Sequence, residues 1–193
     1  MFSFRRKKPL FDTALKILLV TNSLILVAGA MIGPIYALFV EEIGGDLLDA
    51  SLTGGVFALA AGITTLISGK FSDKIKENEL IVVLGYGIMG FSFLLYIFCN
   101  SIWFLFLIQV ITGLGEAIYS PAFDAVYSKH IEKKKAGKQW GAWESMNYFA
   151  LTAGAIIGGF IATALGFDVL FGIMAVLSFG SALYILRLPR QVL

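Results

Sequence analysis

Between Gln109 and Asp124 the chain reads Gln-Val-Ile-Thr-Gly-Leu-Gly-Glu-Ala-Ile-Tyr-Ser-Pro-Ala-Phe-Asp. Wound as a helix, Gln109, Thr112, Glu116, Ser120 and Asp124 recur every three or four residues and form one polar stripe on an apolar cylinder. A carboxylate facing lipid at the centre of a bilayer costs about 3 kcal/mol or more, so such a stripe has to face protein or water. Glu116 is therefore a candidate proton or cation site. A carboxylic acid that is dry in one conformation and wet in another loads and releases a proton, because desolvation disfavours the charged form. The plainer alternative is a protonated acid hydrogen-bonded inside a helix bundle.

Depth along the helices groups further candidates with Glu116. At about 1.5 Å per residue Glu116 lies roughly 20 Å from the outer end of its segment, and Asn147 and Asn22 come near the same level on two other segments. Glu144, Tyr148 and Thr152 share one side of a helix. Tyr36, Tyr119 and Tyr148, with Trp143, offer rings that are apolar on the face and polar at the tip. The expected substrate contacts are Asn22, Tyr36, Gln109, Tyr119, Glu144, Asn147 and Tyr148. Trp103, Trp140 and Trp143 also fit packing or interfacial anchoring. His130 sits in a lysine-rich loop and reads as a solvated residue.

The elements that must position these residues follow from composition. Of 193 residues, 58% are hydrophobic and 15% charged, with a mean hydropathy of +0.84, which places the chain among polytopic membrane proteins. One cysteine, Cys99, and one histidine leave no disulfide or metal cluster, and nothing points to a cofactor or to nucleic acid. Apolar segments run over 17–40, 51–69, 80–98, 102–127, 140–165 and 169–188, each about long enough to cross a hydrocarbon core of about 30 Å. The basic run Arg5-Arg6-Lys7-Lys8 ahead of the first could open a signal peptide. The apolar stretch continues past Ala28-Gly29-Ala30 to Val40, which fits a retained helix better.

The connections alternate in charge. Glu41, Glu42, Asp46, Asp49 and Asp168 fall on one side, and all 15 Lys and Arg fall on the other. By the positive-inside rule both termini are cytoplasmic. The expected organisation is a basic cytoplasmic segment over 1–16, a six-helix transmembrane domain over 17–188 and a cytoplasmic tail over 189–193. No Lys or Arg falls within the membrane to pair with Glu116, so its partners are neutral donors, water or a proton. The same absence disfavours an anionic substrate.

Internal similarity is weak but has a common offset of about ninety residues. Phe57-Ala58-Leu59-Ala60-Ala61-Gly62 resembles Phe149-Ala150-Leu151-Thr152-Ala153-Gly154, Gly87-Ile88-Met89 resembles Gly172-Ile173-Met174, and Gly33-Pro34 stands against Ser120-Pro121. A unit of three helices has an odd number of crossings, so the second copy is inverted, which predicts an all-α membrane domain with an inverted 3+3 repeat. Gly33, Pro34 and Pro121 are expected hinges, because proline lacks the N–H that closes a helical turn. Gly154, Gly158 and Gly159 are expected sites of close helix packing.

The loop Gly69-Lys70-Phe71-Ser72-Asp73-Lys74-Ile75-Lys76 resembles the G-x-L-A-D-R-x-G-R-R signature of the major facilitator superfamily, with Gly69, Asp73 and Lys74 matching and Lys76 in place of the second glycine. Gln109 stands where that family often has arginine in R-x-x-x-G-x-G, and Gly113 and Gly115 match. Gly154, Gly158 and Gly159 match G-P-x-x-G-G, with Ala155 replacing proline.

The resemblance implies one six-helix half of a twelve-helix transporter working by alternating access in the inner membrane. It implies a cytoplasmic gate of Gly69, Asp73, Lys74 and Asp124. The expected partners are a small-molecule substrate, protons, the lipid bilayer, and either a second copy in a homodimer or a second six-helix half. The expected function is secondary active transport, proton-coupled, with efflux of a neutral or cationic amphipathic compound preferred. The alternative is a non-transporting membrane scaffold or partner subunit. An intramembrane enzyme has no supporting motif, so no catalytic residue is assigned.

Overall fold

The computed structural model describes residues 11–72, 75 and 77–189. Asp73 and Lys74 of the expected gate lie outside the described residues, as does most of the basic N-terminal segment. The described chain is helical: α1 (Thr13–Ile32), a 3-10 turn (Gly33–Ile35), α2 (Tyr36–Glu42), α3 (Leu47–Ser72), α4 (Asn78–Ile97), α5 (Ile102–Lys129), a 3-10 turn (Lys133–Lys135), α6 (Ala136–Leu165) and α7 (Phe167–Leu186). With α1 and α2 counted as one bent span, six helices are long and apolar enough to cross a membrane.

Several helices begin or end up to about a turn outside the apolar segments, because their caps lie there. Asp12 accepts the Leu15 N–H at 2.8 Å and starts α1. Ser101 accepts the Phe104 N–H at 3.3 Å and starts α5. The Asp46 N–H donates to Asp49 Oδ2 at 3.1 Å and the Asp49 N–H donates to Asp46 Oδ1 at 2.9 Å, a reciprocal pair that opens α3 ahead of its apolar run. A single residue, Gly166, separates α6 from α7. Its φ of 87° is a left-handed conformation that glycine adopts without a side-chain clash.

The spans alternate in direction. At one end the start of α1 meets the end of α5, with Asp12 Oδ2 3.5 Å from His130 Nδ1. At the other, Phe39 of α2 packs on Tyr96 of α4 and on Phe167 and Phe171 of α7, with ring centroids 4.9 to 5.6 Å apart. The first end carries Lys16, Lys70 and Lys129 and is called the basic end here. The second carries Glu41, Asp46 and Asp168 and is called the acidic end.

Exchanging α1 with α5, α3 with α6 and α4 with α7 maps the principal packing pairs onto one another. The α3–α5 pair goes to α6–α1, α4–α5 goes to α7–α1, and α4–α7 goes to itself. That is the symmetry of an inverted three-plus-three repeat. The core lies along α1, α4, α5 and α7, where Tyr86, Phe93, Phe123, Tyr127 and Phe171 are fully buried. The α3 and α6 helices, which the repeat relates, are the least covered of the spans. Leu59 and Leu66 on α3, and Phe149 and Phe160 on α6, point outward from the chain.

Glycine sets the closest helix approaches. A Cβ on Gly113 of α5 would stand 2.7 Å from the Phe57 carbonyl and 3.0 Å from the Ala61 nitrogen of α3. One on Gly158 of α6 would run into the Met31 backbone of α1, and one on Gly154 would lie 2.6 Å from Ala30 Cβ. Around Gly33, Gly69 and Gly159 the space is open.

Candidate functional site

A cavity of about 600 Å³ opens between the two repeats. The α1 helix contributes Ile25, Leu26, Gly29 and Ala30, followed by Gly33, Pro34 and Tyr36 at the bend. The α5 helix contributes Gln109, Thr112, Glu116 and Tyr119. Phe57 of α3 and Leu151 of α6 stand on its flanks, and Met89, Phe93 and Tyr96 of α4 complete it. The wall is mostly apolar and aromatic, with a few polar groups converging on one side, the ordinary make-up of a small-molecule pocket.

Those polar groups are held by one another. Gln109 Nε2 donates to the Tyr36 hydroxyl, which also shares a 2.7 Å hydrogen bond with Thr53 Oγ1. This chain of three side chains ties α5, α2 and α3 together near the acidic end. Thr53 is buried and donates to the Asp49 carbonyl at 2.7 Å, so its direction is fixed from its own helix. One turn deeper, Thr112 donates to the Ile108 carbonyl at 2.8 Å and bonds the Ser92 hydroxyl of α4. Glu116 follows on the same face, half-buried, and no described side chain bonds or bridges its carboxylate. The stripe therefore descends from tied amide and hydroxyls to an untied acid facing the cavity.

The bend at Gly33-Pro34 matters to the same wall. Pro34 has no N–H, so the carbonyl of Ala30 loses its helical donor, and Ala30, Gly33 and Pro34 all line the cavity. On α5, Pro121 removes the donor from the Ala117 carbonyl in the same way, one residue after Glu116. There Ser68 Oγ of α3 donates to Ala117 O at 2.6 Å.

The structure brings Glu116, Gln109, Tyr36 and Tyr119 to one cavity and leaves the other expected contacts away from it. Asn22 is only 3% exposed and accepts from the Tyr86 hydroxyl at 3.1 Å, sealed between α1 and α4. On α6, Glu144 and Tyr148 are exposed and Asn147 is half-buried, and none of the three lines the cavity. Asp124 is half-buried near the basic end of α5, two turns beyond Glu116. Trp140 and Trp143 pack with Phe123 and Tyr127 in an aromatic cluster at the basic end. His130 is held beside Asp12 instead of lying free in solvent. Outside the spans, burial pushes the Cys99 thiol up, away from thiolate chemistry.

Thr53, Phe57, Ser68 and Ser92 were not among the expected residues. Thr53 and Phe57 follow Asp49 at helical spacing, a faint signal. A serine one helix away from a proline break carries none.

The family profile described as Major Facilitator Superfamily matches residues 18–192. Among curated proteins, the multidrug resistance protein MdtG of Salmonella dublin is 27% identical over 174 residues, covering 86% of this chain and 42% of that protein. The protein of the same name from Yersinia enterocolitica is 26% identical over 174 residues, covering 86% of this chain and 41% of that protein. The one from Dickeya zeae is 26% identical, with 86% and 42% covered. The chain thus spans under half the length of the curated relatives it matches.

Proposed function

The chain belongs to the Major Facilitator Superfamily, and we propose that it supplies one six-helix half of a secondary transporter that moves an amphipathic small molecule in exchange for protons. The observation that carries this reading is the placement of Glu116. Glu116 lines a cavity of about 600 Å³ whose wall is otherwise mostly apolar and aromatic. A carboxyl there exchanges a proton with whichever side wets the cavity, and a bound cation competes for the same charge. Among the described residues no lysine or arginine lines the cavity, which favours a neutral or cationic substrate over an anionic one. The name carried by the relatives, multidrug resistance protein, supports export of amphipathic compounds.

In this reading Tyr36, Gln109 and Tyr119 contact the substrate beside Glu116, and the bend at Gly33-Pro34 offers the freed Ala30 carbonyl. Asn22 stays in the α1–α4 core. Glu144, Asn147 and Tyr148 take part only from the side that a facing half would cover. Asp124 works with Gly69, Asp73 and Lys74 as the gate at the basic end, which is cytoplasmic by the positive-inside rule, and the membrane is the inner one. The facing half is either a second copy, related by a twofold axis along the membrane normal, or a further six-helix segment.

The test is gradient-driven transport in proteoliposomes. A fluorescent amphipathic monocation should be driven by an imposed pH gradient, and Glu116→Gln should abolish the gradient dependence. Unchanged gradient-driven movement in Glu116→Gln would sink the proton-site reading. The exposed faces of α3 and α6 also suit a non-transporting subunit that assembles with another protein. Native mass spectrometry from lipid separates the two readings, because a homodimer favours transport and a stable heteromer favours the scaffold.

A further inference from the structure

The hydroxyl side chains of this bundle mostly bond within their own helix. Thr65, Thr152, Thr163 and Ser178 each donate to the carbonyl four residues earlier, at 2.8 to 2.9 Å. Ser68 does otherwise. Its Oγ has one proton and two carbonyls in reach, Thr65 O of its own helix at 3.4 Å and Ala117 O of α5 at 2.6 Å. The shorter bond takes the proton.

Ala117 is the residue whose carbonyl Pro121 deprives of a donor, and it is 1% exposed, so no bulk water replaces the missing N–H. In an apolar medium an unsatisfied carbonyl is expensive, and serine or threonine from a neighbouring helix is one of the few groups able to supply the donor. The contact sits immediately beside Glu116 in sequence.

We propose that Ser68 is a positioning residue for Glu116: by donating to the carbonyl that Pro121 frees, it fixes α5 against α3 at the missing backbone bond and thereby the presentation of the neighbouring carboxyl to the cavity. The proposal rests on the reading of Glu116 as the proton site. A directional O–H···O bond fixes register across α3 and α5 in a way that glycine packing alone does not. Proline removes one backbone bond at this point, and the serine of a neighbouring helix supplies the donor in its place.

The experiment is a double-mutant cycle on the full chain in lipid nanodiscs, with Ser68→Ala, Pro121→Ala and their combination. Two signals are read: amide hydrogen exchange across α5 beyond Glu116, and the pH midpoint of the protonated-carboxyl infrared band that Glu116→Gln removes. Ser68→Ala alone should speed that exchange by about tenfold, the scale of one buried hydrogen bond, and should displace the band's midpoint. In the Pro121→Ala background the backbone N–H restored by the substitution reclaims the Ala117 carbonyl, so adding Ser68→Ala should change neither signal. Ser68→Thr, which keeps the hydroxyl, should restore both. Equal effects of Ser68→Ala in the two backgrounds, or a titrating band that Ser68→Ala leaves in place, would overturn the proposal. A Glu116 band that never titrates, with exchange still coupled through the cycle, would instead overturn the proton-site reading and with it the positioning role.

Discussion

The inverted repeat builds the same helix pair twice, as α3–α5 and as α6–α1, and the two copies are held together differently. Where α6 meets α1, Gly154 and Gly158 lie against the backbone of Val27, Ala30 and Met31. None of the side chains in these stretches carries an N–H or O–H donor, so dispersion between close backbones holds the contact. Where α3 meets α5 there is again a glycine, Gly113 against Phe57 and Ala61. Here directional bonds are added at both ends, Thr53 and Gln109 through Tyr36 near the acidic end and Ser68 to Ala117 toward the basic end. The repeat supplies the geometry, and side-chain chemistry makes one contact smooth and the other registered. The carboxyl that faces the cavity belongs to the registered pair.

This contrast can be broken at the glycines first. Gly158→Ala pushes a methyl into the Met31 backbone, which cannot yield as a flexible side chain would. Tryptophan-monitored melting in detergent should fall by about 5 °C or more, the cost of overpacking a tight contact. Gly159→Ala, one residue on and with nothing within 4 Å, should melt within about 1 °C of the parent. Equal melting of the two variants would show that α6 does not depend on close approach to α1.

Gly113→Ala should cost less, about 3 °C by the same assay. Its added methyl meets the Phe57 carbonyl at 2.7 Å, and the flanking hydrogen bonds still hold α3 in place. A larger loss at Gly113 than at Gly158 would reverse the comparison. A smaller loss than at either tight glycine is expected from Tyr36→Phe, which removes the hydroxyl shared by Thr53 and Gln109 while keeping the ring. Melting should move by only about 2 °C, and amide exchange in the first turns of α3 should quicken several-fold. No change in that exchange would show that the three-residue chain does not register α3 against α5.

Much of this was legible in the residue order. The spans were readable because lipid demands a run of about 20 apolar residues, and the stripe from Gln109 to Glu116 because a polar face on such a run has one place to go. Asn22 and Asn147 are expected beside Glu116 on depth alone. Counting rise fixes a residue's level but not its direction around the helix, which turns about 100° per residue. Asn22 turns toward α4, where the Tyr86 hydroxyl donates to it. Glu144 and Tyr148 share a face that α6 presents outward. The bond from Ser68 to Ala117 was illegible for another reason, since it joins residues 49 apart that only the packing of α3 on α5 brings together.

The single residue between α6 and α7 gives the smooth contact a mechanical meaning. Gly166 joins α6, with its 30 residues, to α7, which is anchored in the core, so any tilt of α6 pivots at its acidic end. A rod of that length is about 45 Å long at 1.5 Å per residue. A tilt of about 5° about the Gly166 pivot sweeps its far end through about 4 Å, more than the width of a water molecule. At that far end the Tyr127 hydroxyl donates to the Gln139 carbonyl at 2.7 Å and the Trp140 ring packs on Tyr127, so the lever is latched to α5 where its reach is greatest.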